Sequence, residues 1–416
     1  MTGDLLSLFP VGTALDVNGE LTIGGSRMTD LAESFSTPLM IVDEADLRLR
    51  VRRYADGLTA RWPNSLVVWA SKSFPCTAVY RVMVEEGIGI DVSGGGEIIM
   101  ALAAGADPST IVLHGNAKSD DELGLAIARG VGTIVIDSFD DIDRLERLVP
   151  AKQHVLLRVT PGVVTKTHAA IATGQRESKF GLSPTDTREA IRRVRHSERL
   201  ILDGLHVHIG SQIVDSGPFV QAVEAIAEFG EFPVYNLGGG LGARYTYTDR
   251  PPSIEEHLDT LIGAATRVLP ANARILIEPG RSIVAQTTVT LYRVVTVKRG
   301  ERTFVAVDGG MSDNLEVSLY GQRFEATIAT RVGGGNQCSL VGRHCESGDR
   351  LIDGVDLRQP VVGDLVVVPV TGAYCHTMAN NYNGACRPPI VFASHGTPRL
   401  VLRRETYEDL LRRDVS

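Results

Sequence analysis

Cysteine is scarce in this 416-residue chain, and none of it is spaced for a metal or a disulfide framework. Cys76, Cys338, Cys345, Cys375 and Cys386 are odd in number and form no Cys-x-x-Cys pair. No metal site is therefore expected, and a reducing cytoplasm is the expected compartment. Long apolar runs are missing too. No stretch of about 20 uncharged apolar residues occurs, so no helix is expected to span a membrane. The opening "MTGDLLSLFP" carries an acid and no basic n-region, unlike a secretory signal. Nor is there a basic stripe. With 42 Lys+Arg against 50 Asp+Glu, the net charge is -8, and nucleic acid is not an expected partner.

What is present is ordinary in amount and unusual in placement. The chain is 43% hydrophobic and 22% charged, enough to fill a large core in about two or three domains. Its 43 glycines cluster as "VSGGGE", "NLGGGLG" and "VDGG", a distribution suited to backbone that approaches a ligand closely.

Over residues 36–283 short apolar runs alternate with helix-like stretches. The expected strands are 66–70, 89–92, 111–115, 133–137, 154–159, 205–210, 234–238 and 275–279. Segments such as "TAVYRVMVEEG" and "SDDELGLAIARG" place apolar residues three and four apart and end in glycine. About eight βα units in about 250 residues match a closed (β/α)8 barrel, with an open doubly wound sheet as the alternative. Residues 284–416 are rich in Val and Thr, lack long helices and read as a separate β domain. Residues 1–35 contain a hairpin turned at Asn18-Gly19, expected to join that β domain.

Active sites of such barrels lie at the C-terminal strand ends. Lys72 stands there directly after "LVVWA", although a lysine resists burial. Asp91 ends the second strand, His208 the sixth, "GGGLG" follows the seventh and "EPGR" the eighth. Gly238, Gly239 and Gly240, with Ser211 and Arg281, suit an anion such as phosphate; tight turns alone are the plainer reading of each glycine run. A lysine of lowered pKa beside a phosphate site points to Schiff-base chemistry with pyridoxal phosphate. Glu278 is an acid of the kind that pairs with a pyridinium nitrogen, and His208 suits ring stacking.

The order "ASK", "GIDVSGGGE", "HGNAKS", "HVHIGSQ", "NLGGGLG", "EPGR", "VDGGMSDN", "HCESGD" and "GAYC" closely resembles the diaminopimelate decarboxylases, in the alanine-racemase-like and ornithine-decarboxylase-like class of pyridoxal phosphate enzymes. The resemblance implies a barrel plus β domain and a homodimer with shared active sites. It implies Lys72 as the Schiff-base lysine, Asp91 beside it, and His208 on the ring. Ser211 and Gly238 to Gly240 are implied at the phosphate, and Glu278 at the ring nitrogen. Arg281 is implied at either the phosphate or the substrate carboxylate. Cys345 and Glu346 are implied to reach the site from the partner subunit, and Tyr374 to contact the phosphate. A thiol such as Cys345 can return a proton to Cα after CO2 leaves.

Two positions depart from the family pattern. Trp69 stands where a tyrosine is usual, a change expected to affect packing only. Glu316, four residues before Tyr320, stands where an arginine is expected to hold the substrate's distal carboxylate. One charge pair at about 4 Å and an effective dielectric near 20 is worth roughly 4 kcal/mol, so reversing its sign is enough to change the substrate. In the other reading Glu316 points to solvent, and Arg323 or Arg281 holds the carboxylate. The expected function is a decarboxylase of meso-diaminopimelate, giving L-lysine and CO2, or of a lysine- or ornithine-like analogue. A racemase and a non-catalytic regulator are the alternatives of another class. A racemase needs a second base, and a regulator would have lost Lys72, Glu278 or Cys345.

Overall fold

The structure is a computed structural model that describes residues 5–164, 173–175 and 178–415. The chain divides into two compact units: residues 50–242 with 251–282, and residues 1–49 with 243–250 and 283–416.

The first unit is the expected barrel. Eight parallel strands close in the order Ser65–Ala70, Gly89–Val92, Ile111–Leu113, Thr133–Ile136, Gln153–Val159, Leu200–Val207, Val234–Asn236 and Arg274–Ile277, the last pairing with the first. Closure removes the open-sheet alternative and leaves no unpaired edge. Val68, Val112, Val135, Leu156 and Leu276, from five of the eight strands, form one buried cluster. The helices start where the sequence supplies caps. Ser119 and Glu122 form a reciprocal capping box on Asp120–Ala128, and Ser253 and Glu256 do so on Ile254–Val268. Trp69 is fully buried and meets Tyr80 of helix Thr77–Glu85 edge to face at 5.1 Å, a packing role.

The second unit is built on a nine-stranded sheet. Its longest strand, Thr288–Lys298, pairs with Phe304–Val307, Leu365–Pro369 and Leu39–Asp43. The strand Leu39–Asp43 falls inside the stretch 36–283 that sequence analysis assigns to the barrel. It lies instead in this sheet, between Thr288–Lys298 and Ile390–Ser394. All five of its residues are buried, and the continuous apolar run of its first four suits a barrel strand or a sheet-centre strand equally. The N-terminal hairpin turns at Asn18-Gly19, where Asp16 Oδ1 accepts from Asn18 N at 2.8 Å and Glu20 N at 2.9 Å. Leu21 and Ile23 of that hairpin pack with Leu39, Ile41, Val289, Leu291 and Val391 in the core of the β unit. A short helix, Tyr407–Leu411, lies near the end of the unit's sequence.

Candidate active site

The barrel mouth gathers those marked residues that lie in the barrel unit. After the strand Ser65–Ala70 the chain enters a tight 3-10 turn, Ser71–Ser73, closed by Ser73 Oγ donating to Ala70 O at 2.8 Å. Lys72 sits at the centre of that turn, half-buried. Asp91, in the second strand, is buried, and its Oδ1 has no hydrogen-bond partner. His208 follows the sixth strand, and its Nδ1 accepts from Gly239 N at 3.2 Å.

The glycine turn after the seventh strand admits no side chain. Gly238 has φ +66°, and a Cβ there would lie 2.2 Å from Val207 O. At Gly239 a Cβ would lie 1.9 Å from Glu278 O. The residues therefore leave bare backbone beside Ser211, whose Oγ accepts from Arg281 Nε at 3.2 Å. A hydroxyl, a buried guanidinium and side-chain-free backbone form a donor set that fits a phosphate.

Glu278, after the eighth strand, is held by groups from three other strand ends. Asn236 Nδ2 donates to its Oε1 at 2.6 Å, and His206 Nε2 lies 3.2 Å from its Oε2 within hydrogen-bond geometry. His114 Nε2 approaches Oε1 to 2.8 Å, a close contact without hydrogen-bond alignment. The two imidazoles are tilted against each other with centroids 4.7 Å apart. Burial opposes charge on Glu278, but His114 and His206 outweigh it and hold the carboxyl well below its ordinary range. Burial holds His206 at about 4, so it is a neutral donor at pH 7. Burial, then the charges of Lys72 and Arg158, likewise keep His208 neutral. Among the described residues His114, His206 and Glu278 are close enough to share a metal ion. The same geometry presents an ionised carboxylate to a ring N–H, which is what the pyridine nitrogen of pyridoxal phosphate requires.

His114, His206, Asn236 and Arg158 are not among the residues marked by the sequence. Three of them lie within the quoted runs "HGNAKS", "HVHIGSQ" and "NLGGGLG". Arg158 carries the same signal as Lys72, a charge in an apolar strand: it is buried, 3.6 Å from Asp137, and lies over the Phe180 ring at 4.3 Å.

Asp91 behaves oppositely to Glu278. Burial pushes its pKa up to about 6, against the pull of His114 and Lys72. A carboxyl raised in the folded state binds its proton more tightly there, so its share of stability falls as pH rises from about 4 to about 6 and is flat above. A rise of that size corresponds to about 3 kcal/mol. Asp91→Asn is therefore expected to stabilise the coenzyme-free protein by about 1–3 kcal/mol at pH 7 and by little at pH 4. Urea midpoints at the two pH values check this; an equal gain at both would contradict it.

The remaining marked residues belong to the β unit. Glu316 and Tyr320 bound the short helix Glu316–Tyr320. Glu316 does not point to solvent. It is 1% exposed and accepts from Tyr245 Oη at 3.3 Å, which overturns the solvent reading, while Arg323 is exposed. Cys345 and Glu346 are exposed on the loop between the strands Asn336–Val341 and Arg350–Leu357. Tyr374 adopts φ +65°, a left-handed backbone that costs a non-glycine residue about 1–3 kcal/mol and that clusters at functional sites.

Comparison with known proteins gives the chain a family. Residues 44–285 match the family model described as pyridoxal-dependent decarboxylase, pyridoxal binding domain. The diaminopimelate decarboxylase of Actinosynnema pretiosum subsp. auranticum is 44% identical, over 98% of this chain and 95% of that protein. That of Bacillus subtilis is 43% identical over 96% of each. The crystal structure of the M. jannaschii diaminopimelate decarboxylase in complex with L-lysine superposes with a TM-score of 0.91 at 28% identity, covering 98% of both chains. With a family model over more than half its length and relatives above 40% identity along nearly all of it, this chain belongs to the diaminopimelate decarboxylases, a family of pyridoxal-dependent decarboxylases.

Proposed function

We propose that this protein removes CO2 from the reacting α-carbon of meso-diaminopimelate to give L-lysine, with Lys72 carrying pyridoxal phosphate. The observation that carries this reading is the Glu278 carboxylate, kept anionic by Asn236, His206 and His114 at 2.6–3.2 Å in the barrel mouth that also holds Lys72. When bound, the coenzyme supplies an electron sink: its protonated ring takes up the pair left on Cα as CO2 departs. The protein's residues do the rest. Lys72 contributes the amine that joins the coenzyme's aldehyde. Gly238, Gly239, Gly240, Ser211 and Tyr374 hold the phosphate, and the link from Arg281 to Ser211 favours the phosphate for Arg281 too. Neutral His208 covers one ring face. Glu278 accepts the ring N–H and keeps that proton in place. Asp91 faces the Lys72 charge. Cys345 gives its thiol proton to Cα, forming the C–H bond that replaces C–CO2. Glu346 receives the substrate's ammonium.

Both Cys345 and Glu346 are solvent-exposed in one chain, as groups that serve a partner's site would be. We therefore propose a homodimer with shared sites. Among the described residues no helix is long and apolar enough to cross a membrane, and the five thiols, none of them in a disulfide, suit a reducing cytoplasm.

One observation favours a second reading, a decarboxylase of a lysine- or ornithine-like amino acid. Glu316 is a buried carboxylate where an arginine is expected to meet the substrate's distal carboxylate. A panel of amino acids scored by CO2 release separates the readings. Under the main reading meso-diaminopimelate is the best substrate. If Glu316 and Tyr320 line the pocket, Glu316→Arg shifts the kcat/KM ratio toward diaminopimelate by about tenfold or more, and Glu316→Gln shifts it less. An unchanged ratio in both variants removes Glu316 from the substrate site.

A further inference from the structure

The segment Asn381–Ala385 supplies nothing to the chemistry above, yet it meets the Cys345–Glu346 loop with side chains from two successive positions. Asn383 Oδ1 accepts from Cys345 N at 3.2 Å and lies 3.3 Å from His344 Nδ1. The neighbouring Tyr382 Oη donates to Glu346 Oε2 at 3.3 Å.

The donor directions follow from chemistry. A backbone N–H can only donate, so the Cys345 amide fixes which end of the Asn383 amide is oxygen. That oxygen requires the proton of His344 to sit on Nδ1. His344 Nε2, 2.8 Å from Ser312 Oγ, then accepts from the serine. The other flank of the loop is closed by Asp349, whose carboxylate accepts from His344 N at 2.8 Å and Met311 N at 2.7 Å. His344 and Asp349 are buried, whereas Cys345 and Glu346 are exposed. The pair thus stands on a fixed base. Asn383 itself has φ +52° and ψ +27°, inside a short turn of Tyr382–Gly384. Asparagine tolerates that left-handed conformation better than most residues, and here it also delivers the oxygen.

We propose that Asn383 and Tyr382 are positioning residues for the reaction: Asn383 sets the main chain that presents the Cys345 thiol, and Tyr382 aims the Glu346 carboxylate. The inference rests on the roles given above to Cys345 and Glu346. The two residues divide the labour. Loss of the Asn383 oxygen misplaces the proton donor and acts on kcat. Loss of the Tyr382 hydroxyl loosens a substrate contact and acts on KM.

The test uses the full-length coenzyme-loaded enzyme. Asn383→Gly keeps the left-handed backbone and removes the oxygen, and it is expected to lower kcat by roughly 10- to 100-fold. Asn383→Asp restores the acceptor and is expected to recover most of that loss. Tyr382→Phe is expected to raise KM by about 3- to 10-fold with kcat nearly unchanged. Both effects should vanish in a background that lacks the positioned group: Asn383→Gly in Cys345→Ala, and Tyr382→Phe in Glu346→Gln. A second readout needs no turnover: Asn383→Gly should change the rate of Cys345 alkylation by iodoacetamide, located by mass spectrometry, and Asn383→Asp should restore it. If Asn383→Gly fails to fold, Asn383→Ser and Tyr382→Phe decide by the same readouts. Unchanged kcat and alkylation in the asparagine variants, or losses that persist at full size in the two backgrounds, overturn the inference. Wild-type activity in Cys345→Ala instead sinks the proposed function on which it rests.

Discussion

Lys72→Ala is expected to abolish CO2 release, a drop of about 10³-fold or more, and to remove the visible absorbance of the lysine-linked coenzyme. Nothing else in the barrel mouth supplies an amine on the same turn. Ser71 and Ser73 flank Lys72 in a three-residue 3-10 turn that fixes where its stem leaves the backbone. Its charge is felt by Asp91 and by His208. The variant should fold, because Lys72 is only half-buried and the turn is held by Ser73 and by Phe74 N donating to Ser71 O at 3.0 Å. Spectra and turnover are read on the same preparation. A variant that keeps both the band and normal turnover removes the covalent link, and the proposed function with it.

Glu278→Gln is expected to lower kcat by about 10²- to 10³-fold while coenzyme still binds through the phosphate cradle. The substitution keeps size and removes charge. It also breaks a donor-acceptor match: Asn236 and His206 both donate, to Oε1 and Oε2 respectively, and His114 adds a third nitrogen. A glutamine offers one acceptor and places an NH2 against a donor, which leaves a buried polar group unsatisfied at a cost of about 1–3 kcal/mol. Glu278→Asp keeps the charge and should retain more activity than Glu278→Gln. If both variants turn over like the wild type, the ring nitrogen is not held by this carboxylate. His206→Gln should fall between, since one of three neighbours is altered.

Much of this is legible in the chain itself. The eight barrel strands follow from short apolar runs separated by helix-period segments. The capping boxes at Ser119–Glu122 and Ser253–Glu256 are local patterns of the same kind. Lys72, Asp91, His208 and Glu278 stand out as polar groups at strand ends, and the barrel brings them to one mouth. Two things are not legible. The run "LMIV" at 39–42 carries no mark of its partner, because a strand buried on both faces looks alike in a barrel and in a sheet. Its pairing is decided by strands some 250 and 350 residues away in sequence. The clamp on Glu278 is also hidden, since His114, His206 and Asn236 come from three different strand ends. Only closure of the barrel makes them neighbours.

The sequence by itself determined the elements, the chemistry-bearing residue types and the family, because periodicity, caps and motif order are local properties of the chain. The tertiary structure alone decided which polar groups face each other, and hence their protonation. Two imidazoles outweigh burial and keep Glu278 charged, burial in the same mouth pushes Asp91 up to about 6, and a buried setting turns Glu316 away from solvent. Charge state depends on desolvation and on neighbours within a few ångströms, and neither exists until the chain has folded.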